Sequence, residues 1–288
     1  MPKKIIKVRN IILPIIFLIG ICILLIQLQN KTTKDSIHIS CSHTTRPVVE
    51  KIIRTYKEKY NQPIFIEYSE SEIDINNILS GKYDLVFTTK SIRNDENSFL
   101  GKTTIGFDAL VMVVNPKNPV NEVNQQSILD IYTKKVKSWK EINGWNEPIL
   151  ISSEKTGSNS ANLFEQYSGL KNPGNPKKGS NGYISEDTHI ANSALESIGF
   201  VGRIPGAIGF TSREAAMYSK HQGLPLKILA LDGIRPDEEN IINDKYPIKT
   251  ELNIIYRKNN SKINDFIDFI LSNDGQKLIE KQNLIPVK

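Results

Sequence analysis

The order of apolar and polar positions in the first third of the chain predicts alternating strands and helices. Residues 37–40 alternate apolar and polar side chains, as a half-buried strand does, and residues 47–60 carry apolar side chains on one helical face behind an opening proline. Residues 64–68 and 83–88 predict two more strands, separated by a short helix over 73–79. This β-α-β-α-β order favours an open, largely parallel sheet.

The remainder of the chain continues the alternation. Residues 109–115 form an unbroken apolar run, which predicts a buried strand. Residues 169–182 are rich in Gly, Pro, Asn and Lys and predict a surface loop. The other predicted strands cover 149–152, 207–211 and 252–256, and the other predicted helices cover 125–132, 160–167, 191–198 and 263–281.

The N-terminus has the pattern of a membrane segment. Residues 11–26 contain no charged side chain, and four basic residues precede them, namely Lys3, Lys4, Lys7 and Arg9. Basic residues before an apolar segment stay on the cytoplasmic side, so the rest of the chain is expected outside. We therefore predict a membrane anchor or signal segment over 1–29 and a polar tether over 30–36.

Three interpretations of this segment compete. A cleaved signal peptide needs small residues at its end, but Gln27 and Leu28 follow the apolar run. A lipoprotein signal would use Cys22, yet Ile21 stands where a small residue is usual. An uncleaved anchor needs neither feature, and we favour it. Cys22 and Cys41 lie on opposite sides of the membrane boundary, so we expect no intramolecular disulfide.

Length and charge narrow the class of protein. The chain has 288 residues, of which 39% are hydrophobic and 24% charged, and this suits a globular body with two lobes. The net charge is +6, but without the four basic residues before the apolar run 33 basic side chains face 31 acidic ones. A nearly neutral body argues against nucleic-acid binding, which needs a concentrated basic face.

Catalytic and metal-binding motifs are absent from the sequence. The four histidines lack metal-ligand spacing, and the chain contains no H-E-x-x-H, C-x-x-C, G-x-S-x-G or Walker motif. We therefore expect no enzyme activity, no metal and no cofactor. An enzyme on this scaffold would need a group that activates water, for which His43 is the sole candidate.

Small hydroxyl residues cluster where predicted strands lead into helices. In an open α/β sheet, ligands lie beyond the carboxyl ends of the strands, where helix N-termini offer free N–H donors. Helix capping alone also explains each cluster, and both interpretations stay open. The clusters are Ser42, Thr44 and Thr45; Ser69 and Ser71; Thr88 and Thr89; and Gly157, Ser158 and Ser160.

Five ordered segments resemble a known family over residues 37–288. They read CSHTTRPVVEKI at 41–52, LSGKYDLVFTTKSI at 79–92, IGFDALVMVVNPKNPV at 105–120 with ILDIYTKKVKSWKEINGWNEPI at 128–149, RIPGAIGFTS at 203–212, and FIDFILSNDGQKLIEKQNLIPV at 266–287. Together they resemble the substrate-binding component of phosphate ABC transporters.

The resemblance implies a two-lobed clamshell of the type II periplasmic-binding-protein class. It implies a lobe I of residues 37–112 plus 222–288 and a lobe II of residues 113–221, joined by crossover strands. A small oxyanion, most simply phosphate, would bind between the lobes, and a membrane permease would receive the closed form. The implied protein is a monomeric solute receptor and not an enzyme.

The resemblance also implies a set of ligand-binding residues, transferred only where the motifs match. Donors come from four loops, and nearby basic groups supply charge. The set comprises Ser42, His43, Thr44, Ser71, Thr89, Lys90, Gly157, Ser158, Asn159 and Ser160.

One position departs from the family pattern. The family usually places an arginine three residues before Gly157, where this chain has Glu154. Either Glu154 points away and Lys155, Lys90, Arg46 or His43 supplies the charge, or the ligand is not phosphate. The second hypothesis is accordingly a tethered sensor of the same fold that has lost phosphate binding and recognises another ligand or a protein partner.

Overall fold

A computed structural model describes residues 36–42, 45–69, 75–90 and 98–287, together with Ile21. The strands in these residues are β1 (Ile37–Ser42), β2 (Ile64–Ser69), β3 (Leu85–Thr88), β4 (Leu100–Val114), β5 (Glu122–Val123), β6 (Leu150–Glu154), β7 (Leu170–Lys171), β8 (Gly182–Tyr183), β9 (His189–Ala191), β10 (Ala207–Ser212), β11 (Lys227–Ile228), β12 (Ala230–Leu231), β13 (Lys249–Arg257) and β14 (Ile285–Pro286).

Helices alternate with these strands, as the apolar periodicity predicts. The helices are α1 (Arg46–Tyr60), α2 (Ile75–Leu79), α3 (Gln125–Tyr132), α4 (Lys140–Asn143), α5 (Asn159–Ser168), α6 (Ala194–Arg203), α7 (Arg213–His221), α8 (Glu238–Ile242), α9 (Asn264–Leu271) and α10 (Asn273–Glu280). A single 3₁₀ turn, Ser261–Ile263, precedes α9.

The main sheet has ten strands, and its central path runs β2-β1-β3-β13-β4-β10-β6-β9. The strand β1 pairs in parallel with β2 and β3, and β10 pairs in parallel with β6. The long strand β4 pairs antiparallel with β13 over residues 100–109 and with β10 over residues 110–114. The strand β4 therefore runs through both halves of the molecule, and the predicted α/β fold class is confirmed.

The two largest apolar cores among the described residues lie on either side of the middle of β4. The lobe I core, which includes Ile37, Ile52, Phe87 and Phe266, packs α1, α9 and α10 against β1, β3 and β13. The lobe II core is built around Tyr132, Trp139, Phe164 and Phe210, and Phe164 stacks on Phe210 with ring centroids 4.2 Å apart. Each half of the molecule therefore has an apolar core of its own.

Residues after position 222 also contribute to the core around Trp139. Leu229, Leu231, Ile241, Tyr246 and Ile248 are buried in the lobe II core. The sequence-based division assigns these residues to lobe I, and that division stays a prediction. The short pieces β11, β12 and α8 show little apolar periodicity of their own, so nothing in their pattern assigns them to a lobe.

Two predicted helices differ clearly from the helices in the structure. The predicted helix over 263–281 is divided at Ser272, whose backbone is extended and whose Oγ accepts a hydrogen bond from the Gly275 N–H at 3.3 Å. The pattern over 191–198 placed the start of α6 too early, since its N-cap is Ser193. The sequence Ser193-x-x-Glu196 has the form of a capping box and would have given the correct start.

No helix among the described residues is long and apolar enough to cross a bilayer. The predicted membrane segment, residues 1–29, lies outside the described residues apart from Ile21, and so does the tether apart from Ser36. Cys41 is buried and carries a free thiol.

Candidate ligand-binding cavity

A cavity of about 340 Å³ lies between the two cores. This volume is at the lower end of the roughly 300–1,000 Å³ typical of small-molecule sites. Its walls come from both lobes and from the crossing strands. The lining residues are Thr45, Pro47, Val48, Thr89, Asp108, Glu154, Gly157, Ser158, Asn159, Ser160, Ala194, Ser212, Glu214, Ala215, Thr250, Leu252, Gln282 and Leu284.

Four helices begin at this cavity. The helix α1 approaches from lobe I behind its N-cap Thr45, and α5, α6 and α7 approach from lobe II behind Ser158, Ser193 and Ser212. These helices contain 15, 10, 10 and 9 residues. Each N-terminus carries a partial positive charge equivalent to roughly half an elementary charge, so the cavity has a positive potential from the backbone.

The three serine caps are geometrically similar. Ser158 Oγ accepts a hydrogen bond from the Ala161 N–H at 3.0 Å, and Ser212 Oγ accepts one from the Ala215 N–H at 3.1 Å. A cap satisfies one of the first four N–H groups of a helix, and the others have no carbonyl partner within that helix. In α5 these include the N–H groups of Asn159 and Ser160, whose side chains also line the cavity.

The structure places half of the predicted ligand-binding residues at the cavity. Thr89 lines it from lobe I, and Gly157, Ser158, Asn159 and Ser160 line it from lobe II. Ser42 and Lys90 do not belong to the lining: Ser42 Oγ lies 3.2 Å from Thr45 Oγ1, and the Lys90 N–H donates to Thr88 Oγ1 at 3.0 Å. His43, Thr44 and Ser71 lie outside the described residues.

Within the described residues, no lysine, arginine or histidine lines the cavity. Arg46 Nε donates to Glu50 Oε1 at 2.8 Å, and its guanidinium lies over the Tyr68 ring. Lys155 is exposed. Arg213, at the start of α7, donates through Nε to the Pro236 carbonyl at 3.0 Å and through Nη1 to the Asn283 carbonyl at 3.2 Å.

Three carboxyl groups line the cavity instead: Asp108, Glu154 and Glu214. Burial and, to a smaller extent, the nearby Glu214 carboxylate raise the pKa of Asp108 to about 7, although N–H donors from Ala109 and Glu214 and the charge of Arg213 oppose the shift. Burial also raises the pKa of both glutamates. Asp108 Oδ1 accepts the Glu214 N–H at 3.1 Å and thus caps α7 from the crossover strand.

Sequence reasoning missed the contribution of α6 and α7. Ala194, Ser212, Glu214 and Ala215 line the cavity, but no helix is predicted over 213–221. No group of three or more His, Cys, Asp or Glu side chains in the described part of the chain could hold a metal ion. The cavity therefore offers hydroxyls, backbone N–H groups and carboxyls.

We predict that replacing Asp108 by asparagine changes how stability depends on pH. Because the folded-state pKa is about 7, whereas an unfolded aspartate titrates near 4, this group stabilises the fold in acid and that stability is lost as the pH rises through 7. Between pH 5 and pH 8 the loss is on the order of 2 kcal/mol. Urea unfolding at both pH values should show a smaller decline for Asp108→Asn, and parallel declines would contradict the prediction.

Comparison with known proteins gives matches over most of the chain. A family model described as "PBP superfamily domain" matches residues 28–274. The phosphate-binding protein PstS of Borreliella burgdorferi is 24% identical over 272 residues, which cover 92% of this chain and 95% of that protein.

Solved structures show the same fold. The crystal structure of PstS from Borrelia burgdorferi aligns with a TM-score of 0.69 at 22% identity and covers 88% of this chain and 99% of that one. A putative phosphate ABC transporter substrate-binding protein with bound phosphate, from Clostridium perfringens, aligns with a TM-score of 0.65 at 26% identity and covers 88% of this chain and 100% of that one. These matches confirm the resemblance that the five sequence segments indicate.

Proposed function

Because the chain belongs to the PBP superfamily, we propose that it is an extracytoplasmic solute-binding protein that binds phosphate or a similar oxyanion for an ABC importer. One observation carries the proposal: four helix N-termini converge on one cavity whose polar lining is rich in hydroxyl groups. Such N-termini bind anions through free N–H donors and a partial positive charge. Phosphate is proposed as the ligand because the similar proteins described above are named as phosphate-binding proteins.

The position of the cavity suits a receptor that closes around its ligand. Thr45 and Thr89 belong to lobe I, and Ser158 and Asn159 belong to lobe II, so a bound anion would contact both. Two crossing strands, β4 and β13, connect the lobes and can serve as the hinge. A ligand that bridges the lobes favours the closed form, because only the closed form offers both sets of donors.

The remaining parts of the proposal rest on the family and on the sequence. We propose that residues 1–29 anchor the protein in the cell membrane with its body on the extracytoplasmic side. We also propose that residues 37–112 plus 222–288 form lobe I and that residues 113–221 form lobe II. The protein would act as a monomer, deliver its ligand to ABC permease subunits, and carry out no chemical step. Ser42, His43, Thr44, Ser71 and Lys90 remain candidate ligand contacts of the closed form.

Calorimetric titration of phosphate into the full chain, purified in mild detergent and freed of bound anion, tests the function. We expect binding in the micromolar range or tighter near neutral pH. Asn159→Ala should weaken binding about 10- to 100-fold, because one hydrogen bond to a charged group contributes roughly 1.5–3 kcal/mol.

The matched control for that variant lies on the same helix. Asn162 is exposed on α5 and does not line the cavity, so Asn162→Ala should leave the phosphate affinity unchanged. No binding heat and no thermal shift at millimolar phosphate would contradict the proposed function. An equal loss in both variants would contradict the location of the site.

A second function is favoured by the three carboxyl groups of the lining. If Asp108, Glu154 and Glu214 were all ionised, they would repel an oxyanion. A cavity with three ionised carboxylates would suit a tethered sensor of the same fold that recognises a different ligand or a protein partner. The absence of phosphate binding by the wild-type chain at every pH between 5.5 and 8.5 would favour this alternative.

A further inference from the structure

Glu154 is a buried carboxyl group that faces the proposed ligand. It is the last residue of β6, its relative exposure is 5%, and it lines the cavity. Its Oε1 has no hydrogen-bond partner among the described residues. A buried polar atom without a partner is costly, and in a binding site it marks a position where a ligand can complete the hydrogen bonding.

The polar groups near Glu154 are neutral. The hydroxyls of Ser158, Ser160 and Thr211 favour the ionised carboxylate, but burial outweighs them and the pKa of Glu154 is raised. No charged group contributes to this shift.

The charged groups on the neighbouring elements are engaged elsewhere or are themselves acidic. On β9, His189 Nε2 lies 3.4 Å from Glu196 Oε1. On α7, Arg213 donates to two backbone carbonyls, and Glu214 is acidic. On β4, Asp108 is acidic and accepts the Glu214 N–H. Lys155, which follows Glu154, is exposed.

An ionised carboxylate at this position would accept hydrogen bonds only and would repel an oxyanion in a medium of low dielectric. A protonated carboxyl group is neutral and has one O–H to donate. The same side chain therefore opposes anion binding in one protonation state and assists it in the other.

We propose that anion binding by this chain is proton-coupled through Glu154, which enters the complex protonated and donates a hydrogen bond to the oxyanion. The proton comes from solvent and returns to solvent when the ligand leaves. This inference rests on the proposed function and adds a specificity-determining residue to it. It predicts a ligand affinity that rises as the pH falls.

The test compares phosphate affinities of the wild-type full chain and of Glu154→Gln between pH 5.5 and 8.5. Glutamine has the shape of the protonated carboxyl group, donates through its amide and does not titrate. The ratio of the two dissociation constants removes the titration of phosphate itself, because both proteins meet the same ligand. We expect the dissociation constant of the wild-type chain divided by that of Glu154→Gln to be near one in acid. This ratio should rise by up to about tenfold per pH unit at pH values where Glu154 of the free wild-type chain is ionised.

Proton uptake gives an independent readout. Calorimetry in buffers with different ionisation heats counts the protons bound with phosphate, and the wild-type chain should take up as much as one proton more than Glu154→Gln. Glu165 provides the matched control, since it is a partly buried glutamate on α5 with an unpartnered Oε1 in the described residues but lies outside the lining. Glu165→Gln should keep the wild-type pH dependence.

The possible outcomes distinguish a failure of the proton coupling from a failure of the proposed function. A ratio that stays constant with pH, or a wild-type chain that binds more tightly than Glu154→Gln at high pH, overturns the proton coupling while phosphate binding stands. If neither protein binds phosphate at any pH, the proposed function fails and the inference falls with it. Thermal melts of both variants verify that each remains folded.

Discussion

Replacing Trp139, the largest fully buried side chain among the described residues, by alanine is expected to lower the free energy of unfolding by about 3–5 kcal/mol. Trp139 is fully buried in the lobe II core, and its indole Nε1–H donates to the Gly206 carbonyl at 2.9 Å. Truncation removes a large apolar surface and leaves the Gly206 carbonyl without this donor. Urea unfolding monitored by circular dichroism measures the loss.

Two further variants test the explanation. Trp139→Phe keeps most of the apolar contact but loses the N–H donor, so it should cost less than the alanine variant. Trp145 is the other tryptophan of the chain and is only partly buried against the same core, so Trp145→Ala should cost about 1 kcal/mol. An equal loss at the two tryptophans would show that burial does not determine the effect.

Replacing Gly275 by alanine is expected to cost about 3 kcal/mol, because this site has no room for a side chain. A Cβ atom added there would lie 2.2 Å from the Phe269 carbonyl oxygen and 2.4 Å from the Ile270 carbonyl oxygen. Both neighbours are backbone atoms at the end of α9, so α10 would have to move away from α9. The thermal midpoint and the urea midpoint of Gly275→Ala should both fall.

Gly199 is the matched control for that substitution. It lies within α6, and a Cβ atom added there meets nothing within 4 Å. Alanine favours helical backbone over glycine by about 0.5–1 kcal/mol, so Gly199→Ala should be neutral or slightly stabilising. A loss at Gly199 comparable to that at Gly275 would contradict the steric argument.

The sequence predicts the elements that carry their own periodicity. The strand β2 and the helix α3 appear within one residue of the predicted bounds, since their apolar positions repeat with the period of a strand or a helix. The sequence predicts Ser158 as a helix cap or a ligand contact, because a hydroxyl residue directly before a helix is a recognisable local pattern. In the structure Ser158 caps α5 and lines the cavity.

The rest of the cavity depends on contacts between distant parts of the chain. Whether Glu154 faces the cavity or solvent depends on how the end of β6 lies against α5 and β10, and a strand pattern does not contain that information. Asp108 accepts a hydrogen bond from Glu214 at the N-terminus of α7, which lies 106 positions later in the sequence. Such pairings follow from the topology of the sheet, so local patterns could not reveal that three acidic side chains share one cavity.

The path of the chain through β4 and β13 also constrains the order in which the protein can be assembled during synthesis. Apart from Ile285, the core around Trp139 takes its buried side chains from one continuous stretch, residues 109–248, whereas the core around Phe266 needs both β1, α1 and β3 and the later elements β13, α9 and α10. Because β3 pairs with β13, the edge of β3 that β13 covers stays open during synthesis until residues 249–257 have been made. The N-terminal half of the nascent chain therefore remains incomplete until β13 has been synthesised.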